Sequence, residues 1–119
     1  MNYKIGIDIV YIPRLAKKIN DTKFIARILT KKEQILFNDL NNDRRKAEFL
    51  AGRFAAKEAC SKALKTGIGD KFDFLDVEIL KGKNNEPILL GLSGEITIAH
   101  DNDYAVANVV LEVNKDENN

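Results

Sequence analysis

Several residue types that often mark a functional class are scarce in this sequence. Its 119 residues include one cysteine, one histidine, two prolines and no tryptophan. A single cysteine excludes a disulfide within the chain and any zinc site built on paired cysteines. Together with the absence of a cysteine framework, it favours a reducing, cytoplasmic setting.

The chain also lacks an excess of one charge and a long apolar run. It has 19 basic and 18 acidic residues, which gives a net charge of +1. This balance argues against nonspecific nucleic-acid binding, which needs a strongly basic face. No segment reaches the ~18 consecutive apolar residues of a membrane helix. Asp8 interrupts the apolar stretch near the N-terminus, so neither a membrane partner nor a secretory signal is predicted.

Apolar periodicity predicts one α+β domain over residues 1–113, followed by a polar tail at 114–119. Helical spacing dominates the first half of the chain, and alternating patterns dominate the second. The expected helices cover residues 14–20, 23–29, 30–40 and 44–65. The expected strands cover residues 4–12, 72–80, 87–90, 96–100 and 104–113. We expect an antiparallel sheet, joined by the first strand, that packs against the long fourth helix.

Local signals support this assignment. Pro13 suits the first turn of a helix, and Thr30 with Glu33 forms a capping-box pattern. Gly67 and Gly69 follow the long helix, where a helix commonly stops. Both faces of the first strand are mostly apolar, which predicts a central strand covered on both sides.

Asp8 is the first candidate functional residue, because aspartate is depleted in strands. It lies on the same predicted face as Gly6 and Val10. A buried carboxylate needs a cation, hydrogen-bond donors or a metal, and Gly6 permits close approach of a ligand or of backbone. The alternative is an acid exposed to water near the end of the strand.

The long helix supplies a second group of candidates. Small residues at 47, 51, 55 and 59 form a ladder on one side, and apolar residues fill the other, so the helix is predicted to be largely buried. Glu58 lies beside that ladder, with Ser61, Lys62 and Lys65 on the turns beyond it. A carboxylate with nearby lysines suits a divalent metal that carries a polyphosphate. The alternative is an ordinary surface pair between Glu58 and Lys62.

Two further features have open interpretations. The early helices carry five basic residues, which form either a docking face for an acidic partner or a solvated surface: Arg14, Lys17, Lys18, Lys23 and Arg27. His100, the only histidine, ends a predicted strand beside a turn, where functional residues are common. Cys60 falls on the apolar side of the long helix and is interpreted as a core residue.

Three segments together resemble the holo-acyl-carrier-protein synthase family. The first is Ile5-Gly6-Ile7-Asp8-Ile9-Val10, followed by Arg14. The second runs from Glu48 through Lys57-Glu58-Ala59 to Ser61-Lys62-Ala63 and resembles the family's signature helix. The third is Ile98-Ala99-His100, followed by Tyr104-Ala105-Val106-Ala107. The resemblance extends over nearly the whole chain, although the segment before His100 is shorter than is usual in the family.

The resemblance implies a 4′-phosphopantetheinyl transferase fold and a homotrimer with sites at subunit interfaces. It implies transfer of 4′-phosphopantetheine from coenzyme A to a serine of apo-acyl carrier protein, in the service of fatty acid and lipid biosynthesis. Asp8 and Glu58 would bind Mg²⁺ and, with Lys62, form the catalytic group. Arg53, Ser61, Lys62 and His100 would contact coenzyme A, and the helix with Arg14, Lys17 and Lys18 would dock the carrier protein. The competing class is a nonenzymatic module that binds a nucleotide or an acidic protein.

Overall fold

The computed structural model describes residues 2–65 and 72–113. The helical layer comprises α1 (Ile12–Ala16), α2 (Thr22–Ile28), α3 (Lys31–Asn38) and α4 (Asp43–Leu64). The strands are β1 (Asn2–Tyr11), β2 (Glu78–Lys81), β3 (Pro87–Leu90), β4 (Gly94–Asp101) and β5 (Tyr104–Val113). The predicted α+β class with one long helix is confirmed. The predictions at Gly67 and Gly69 and for the tail at 114–119 lie outside the described residues.

The strands form an antiparallel three-stranded sheet in the order β1-β5-β4 and a separate β2–β3 hairpin. β1 pairs with β5 along its whole length, from Asn2 opposite Val113 to Tyr11 opposite Tyr104. The first strand therefore joins the later sheet, as predicted. Its predicted central position is wrong, because β1 is an edge strand. Its Gly6 side faces the helical layer, whereas its other face is exposed.

Two predicted boundaries also differ from the structure. The first helix ends at Ala16 and gives way to turns, in which Lys18 N–H donates to Leu15 O. The predicted strand at 72–80 begins only at Glu78. Before it, residues 74–76 form a 3₁₀ helix, closed by a 2.8 Å hydrogen bond from Asp73 N–H to the Asp76 carboxylate. A capped turn of this kind replaces the strand that the apolar alternation suggested.

Helix α4 forms the centre of the core. Its 22 residues begin at an N-cap where the Asn42 side chain accepts a hydrogen bond from Arg45 N–H, and Lys65 ends it with a φ of 59°. The predicted ladder of small residues is buried, which confirms the predicted burial: Ala47, Ala51, Ala55 and Ala59. Within residues 2–65 and 72–113, no helix is both long and apolar enough to cross a membrane.

Gly6 permits α4 to lie directly on β1. A Cβ atom at this position would stand 1.9 Å from the backbone oxygen of Ala59 and 2.9 Å from the nitrogen of Ala63. Backbone atoms of a buried helix cannot move aside without displacing the whole helix. Close approach at Gly6 therefore fixes the distance between α4 and the strand that carries Asp8.

We expect Gly6→Ala to lower the free energy of unfolding by ~1–3 kcal/mol, because the added methyl group overpacks the contact between helix and strand. Urea denaturation followed by circular dichroism measures this change. Gly82→Ala is the matched control, since its added Cβ meets only the end of the flexible Glu86 side chain. Equal stability of the two variants would contradict the close-approach argument.

Candidate active site

Asp8 projects from β1 toward α4, where it meets Lys62. The Lys62 ammonium lies 2.7 Å from the Asp8 carboxylate, whose side chain is only 15% exposed. The Lys62 side chain is 55% exposed, so its stem reaches the pair from the solvent side. Lys62 of α4 therefore supplies the cation that the Asp8 carboxylate was expected to need.

Glu58 belongs to the same group of charges. Burial raises the pKa of the Glu58 carboxyl above its ordinary value, and the negative charge of Asp8 raises it further. The positive charges of Lys62 and Arg14 lower this pKa in part. Because these influences act over short distances, the four residues form one electrostatic cluster: Asp8, Glu58, Lys62 and Arg14. We call this cluster the carboxylate pair and its two cations.

The donor set of this cluster limits the metal it suits. Within the described parts of the chain, no three or more His, Cys, Asp or Glu residues lie together as a metal cage. Mg²⁺ is usually held by one or two carboxylates, with water and substrate phosphates completing its coordination. Two half-buried carboxylates beside two cations fit that mode of binding, and they suit a ligand that brings its own phosphate oxygens.

Other predicted residues near the cluster have different environments. Ser61 is buried, and its hydroxyl donates a 2.9 Å hydrogen bond to the carbonyl of Glu58. Its predicted contact with coenzyme A stays a prediction. Cys60 is fully buried, and burial raises the pKa of its thiol to about 11. It is a core residue, as the sequence indicated.

His100 and Arg53 line a cleft near the other edge of the sheet. This basic cleft has a volume of about 330 Å³ and combines residues of α4, β4 and the β2–β3 hairpin. A smaller cavity of about 140 Å³ adjoins it and shares several of its lining residues. The polar groups that line the basic cleft are Arg45, Glu48, Arg53, Lys81, Asn85 and His100. Four of these carry or can carry positive charge, so the cleft is suited to phosphate groups.

The side chains of His100 and Arg53 both contact backbone carbonyl groups. His100 Nε2 lies 3.0 Å from the carbonyl of Glu48, and Gly52 leaves room for the imidazole on α4. Arg53 donates from Nε and Nη2 to the carbonyl of Ile79, at 3.3 and 3.1 Å. Burial lowers the pKa of Arg53 to about 10, against the opposing charge of Glu33, and its guanidinium stays positive at neutral pH.

An apolar groove with a basic rim lies beside Glu58. It measures about 330 Å³ and is lined by Arg14, Leu15, Lys18, Phe24 and Phe54. The Arg14 guanidinium stands 5.8 Å from the centre of the Phe54 ring, and the Lys18 ammonium stands 5.4 Å from that of Phe24. Since Phe54 lies one turn before Glu58 on α4, this Phe54 groove opens next to the carboxylate pair. Lys23 and Arg27 are exposed on α2, and Lys17 is exposed in the turn that follows α1, so Lys17 and Lys18 do not lie on the helix that the sequence predicted for them.

A buried ion pair joins Glu33 and Lys57, two residues that were not predicted to interact. Both side chains are completely buried, and the Lys57 ammonium lies 2.6 Å from Glu33 Oε1. Burial lowers the pKa of Lys57, and the charge of Glu33 opposes that change. A signal was present in the sequence, since Lys57 falls among alanines on a helix predicted to be buried, where a lysine requires a partner.

The comparisons with known proteins agree over most of the chain. Residues 4–109 match the model of the 4′-phosphopantetheinyl transferase superfamily. A holo-[acyl-carrier-protein] synthase of Geobacillus sp. (strain WCH70) is 45% identical, over 91% of this chain and 94% of that protein. The protein of the same name from Anoxybacillus flavithermus is 48% identical, over 91% of this chain and 93% of its own length.

Solved structures of holo-acyl-carrier-protein synthases also match the fold of this chain. The holo-(acyl-carrier-protein) synthase of Bacillus anthracis, in complex with CoA (3′,5′-ADP), superposes with a TM-score of 0.85 at 44% identity. The match covers 93% of this chain and 96% of that one. The holo-[acyl-carrier-protein] synthase of Helicobacter pylori, in complex with coenzyme A, gives 0.79 at 39% identity, over 91% and 99% of the two chains.

Proposed function

The chain belongs to the 4′-phosphopantetheinyl transferase superfamily, and we infer from this that it is a holo-[acyl-carrier-protein] synthase. It transfers 4′-phosphopantetheine from coenzyme A to a serine of apo-acyl carrier protein and leaves adenosine 3′,5′-bisphosphate. The product, holo-acyl carrier protein, serves fatty acid and lipid biosynthesis. The observation that carries the assignment is the contact of Asp8 on β1 with Lys62 on α4, beside Glu58, in a chain that matches the family over residues 4–109.

We propose that Asp8 and Glu58 hold Mg²⁺ and that Lys62 completes the catalytic group. When bound, the metal supplies positive charge to the pyrophosphate of coenzyme A. The serine hydroxyl gives up its proton, and its oxygen forms a bond to the phosphorus attached to pantetheine. The bond from that phosphorus to the leaving bisphosphate breaks, so that the bisphosphate and one proton are released. Lys62 is exposed enough to turn its ammonium from Asp8 toward the phosphate, where it offsets the negative charge that grows on the leaving oxygen.

The basic cleft is the proposed seat of the nucleotide end of coenzyme A. Arg53 and His100, both expected as coenzyme contacts, line it together with Arg45 and Lys81. Four cationic or ionisable groups around one cavity favour a ligand with several phosphate groups. Contacts with backbone carbonyls hold the side chains of His100 and Arg53 in place before the ligand binds.

Assembly as a homotrimer is also part of the proposal. Asp8 lies on β1 and His100 on β4, which are opposite edges of the three-stranded sheet. The exposed face of β1 is apolar, with Ile5, Ile7 and Ile9 at 70%, 58% and 61% exposure. A neighbouring subunit that covers this face would bury it and bring its own basic cleft toward the carboxylate pair. The cytoplasmic setting suggested by the sequence remains a prediction.

We propose the Phe54 groove as the docking site for the carrier protein, which extends the docking role that the family resemblance implied for Arg14, Lys17 and Lys18. Its floor of Phe24 and Phe54 accepts an apolar side chain, while its basic rim attracts an acidic partner. Arg14 belongs both to this rim and to the charges around Glu58. A carrier protein seated in the groove would therefore place its surface next to the carboxylate pair.

We expect transfer to be visible as a mass gain of apo-acyl carrier protein, incubated with coenzyme A, Mg²⁺ and the enzyme. Asp8→Asn and Glu58→Gln should each abolish the gain, because each removes one of two anionic oxygen donors from the metal. Intact-protein mass spectrometry measures the gain, and circular dichroism checks that both variants fold.

EDTA provides the control for the metal. No mass gain with the unmodified enzyme would reject the transferase assignment. A gain that is equal with and without EDTA would reject the metal, and full activity in either variant would reject that residue as a ligand.

We expect the protein to sediment as a trimer of its 13.4 kDa chain. Ile7→Glu should dissociate it and stop transfer, since a charge would enter the buried interface. Ile35→Glu is the matched control, because Ile35 is 64% exposed on α3, away from the proposed interface. Analytical ultracentrifugation measures the assembly; a monomeric native protein with full activity would contradict the proposal.

We expect Arg14→Glu to raise the KM for carrier protein about tenfold, because an acid replaces a cation on the rim that faces an acidic partner. The KM for coenzyme A should change less. Lys32→Glu makes the same charge change at an exposed position on α3, and it should leave both constants near their normal values. Equal increases in the two constants for Arg14→Glu would argue against a docking role.

A further inference from the structure

Ile79 on β2 has both of its backbone groups bound by side chains of the helical layer. Its N–H donates a 2.8 Å hydrogen bond to Glu33 Oε2 on α3. Its carbonyl accepts two hydrogen bonds from the Arg53 guanidinium on α4, at 3.3 and 3.1 Å. The Ile79 side chain itself is completely buried. Side chains of α3 and α4 thus bind both backbone groups of one residue in the hairpin.

The acid that binds Ile79 is held in turn by Lys57. The Lys57 ammonium donates to Glu33 Oε1 and to the carbonyl of Ile28, both at 2.6 Å. Thr30 N–H donates to the same Oε1 at 2.8 Å. Both oxygens of the Glu33 carboxylate are therefore occupied, and neither oxygen can leave its donors without exposing a buried charge to an apolar interior.

Stability alone gives a weak reason for such a pair. Removing two charges from water costs about as much as their attraction returns, and a buried ion pair can often be replaced by apolar residues without loss of stability. What the pair does supply is direction, since a charge-assisted hydrogen bond is short and geometrically strict. The direction that the pair supplies acts on Ile79 and on the hairpin to which Ile79 belongs.

The β2–β3 hairpin carries one wall of the basic cleft. In the part of the chain that the structure describes, its two strands pair only with each other, so no ladder to the main sheet sets its position. Lys81 follows Ile79 by two residues, and Asn85 lies in the turn beyond it. Both line the cleft together with Arg53 and His100. A shift of the hairpin would move Lys81 and Asn85 relative to the other two.

We propose that Glu33 and Lys57 are positioning residues for coenzyme A: through Ile79 they hold the hairpin so that Lys81 and Asn85 meet the phosphates of its nucleotide end. Neither residue lines the basic cleft or the cavity beside it, and the proposed action runs through Ile79 and the hairpin. This inference rests on the proposed seat of coenzyme A in the basic cleft.

The test replaces the pair by apolar residues in Glu33→Met/Lys57→Met. We expect the dissociation constant of adenosine 3′,5′-bisphosphate, measured by calorimetry, to rise about tenfold, as one charge-assisted hydrogen bond is lost from the hairpin. The KM for coenzyme A should rise more than kcat falls, and the KM for carrier protein should not change. Hydrogen exchange at the Ile79 amide should become faster.

A companion variant restores the acceptor. Glu33→Gln/Lys57→Met also lacks both charges, yet its amide oxygen can accept from Ile79 N–H. We expect its dissociation constant to return most of the way to that of the native enzyme. Equal weakening in both double variants would overturn the positioning role, because the loss would then follow the charges and not the bond to Ile79.

A second route keeps the ion pair intact and so leaves the side chains of the core unchanged. Cys60 is the only cysteine, and it allows residues 60–119 to be made by synthesis and ligated to the first segment. An ester in place of the Glu78–Ile79 amide then replaces the N–H group by an oxygen atom and keeps the Ile79 side chain and carbonyl. We expect weaker binding of adenosine 3′,5′-bisphosphate, and unchanged binding in this protein would overturn the inference.

Two controls separate this inference from the proposed seat of the coenzyme. Lys81→Met tests the cleft directly; if it leaves binding unchanged, the seat is wrong and the inference falls with it. If Lys81→Met weakens the binding of adenosine 3′,5′-bisphosphate while the ester and Glu33→Met/Lys57→Met do not, the seat stands and the positioning role is rejected. Leu111→Ala is a destabilised core variant at the far end of β5 from Ala105, the partner of His100, and should bind normally.

Discussion

Helix α4 and β1 meet at Gly6 with no side chain between them, and the backbone oxygen of Ala59 occupies the space that a Cβ would need. This approach sets the spacing between strand and helix along their shared length. Two residues further along β1, it places the Asp8 carboxylate within reach of Lys62. A helix kept away by ordinary side chains would leave the acid without its cation, and Glu58 without the neighbour that raises its pKa. The polar chemistry therefore depends on a contact between small, unreactive residues.

The same helix faces three surroundings at once. Its alanines lie on the sheet, Arg53 and Lys57 point to the hairpin and α3, and Phe54 with Glu58 borders the groove near α1. Arg53 and Lys57 each bind a specific partner, the carbonyl of Ile79 and the carboxylate of Glu33. This explains why a helix with so many charges can be buried at the centre of the domain. It also means that a tilt of α4 would disturb the basic cleft, the Phe54 groove and the carboxylate pair together.

Local patterns predicted much of this fold, because caps and strand alternation depend on neighbouring residues. The capping box at Thr30 and Glu33 and the bounds of β5 are confirmed. Asp8 could be singled out because an acid in an apolar strand needs a cation. The edge position of β1 could not be predicted, since an apolar outer face looks the same whether its own chain or another covers it. The ion pair between Glu33 and Lys57 could not be predicted, because it joins two helices that are far apart in sequence. The cap at Asp73 could not be predicted either, because the same segment has an alternation that favours a strand.

The pairing of β1 with β5 has a consequence for synthesis of the chain. β1 is made before the entire helical layer, and β5, the strand that pairs with it, is made after β4. Throughout that interval a strand of alternating isoleucines has no ladder partner from the finished sheet, and such segments tend to associate with one another. Lys4 and Asp8 are the only charges within it, and charges in an apolar strand oppose that association. By this rule, the charge of Asp8 opposes self-association of the strand before the strand meets α4 and Lys62.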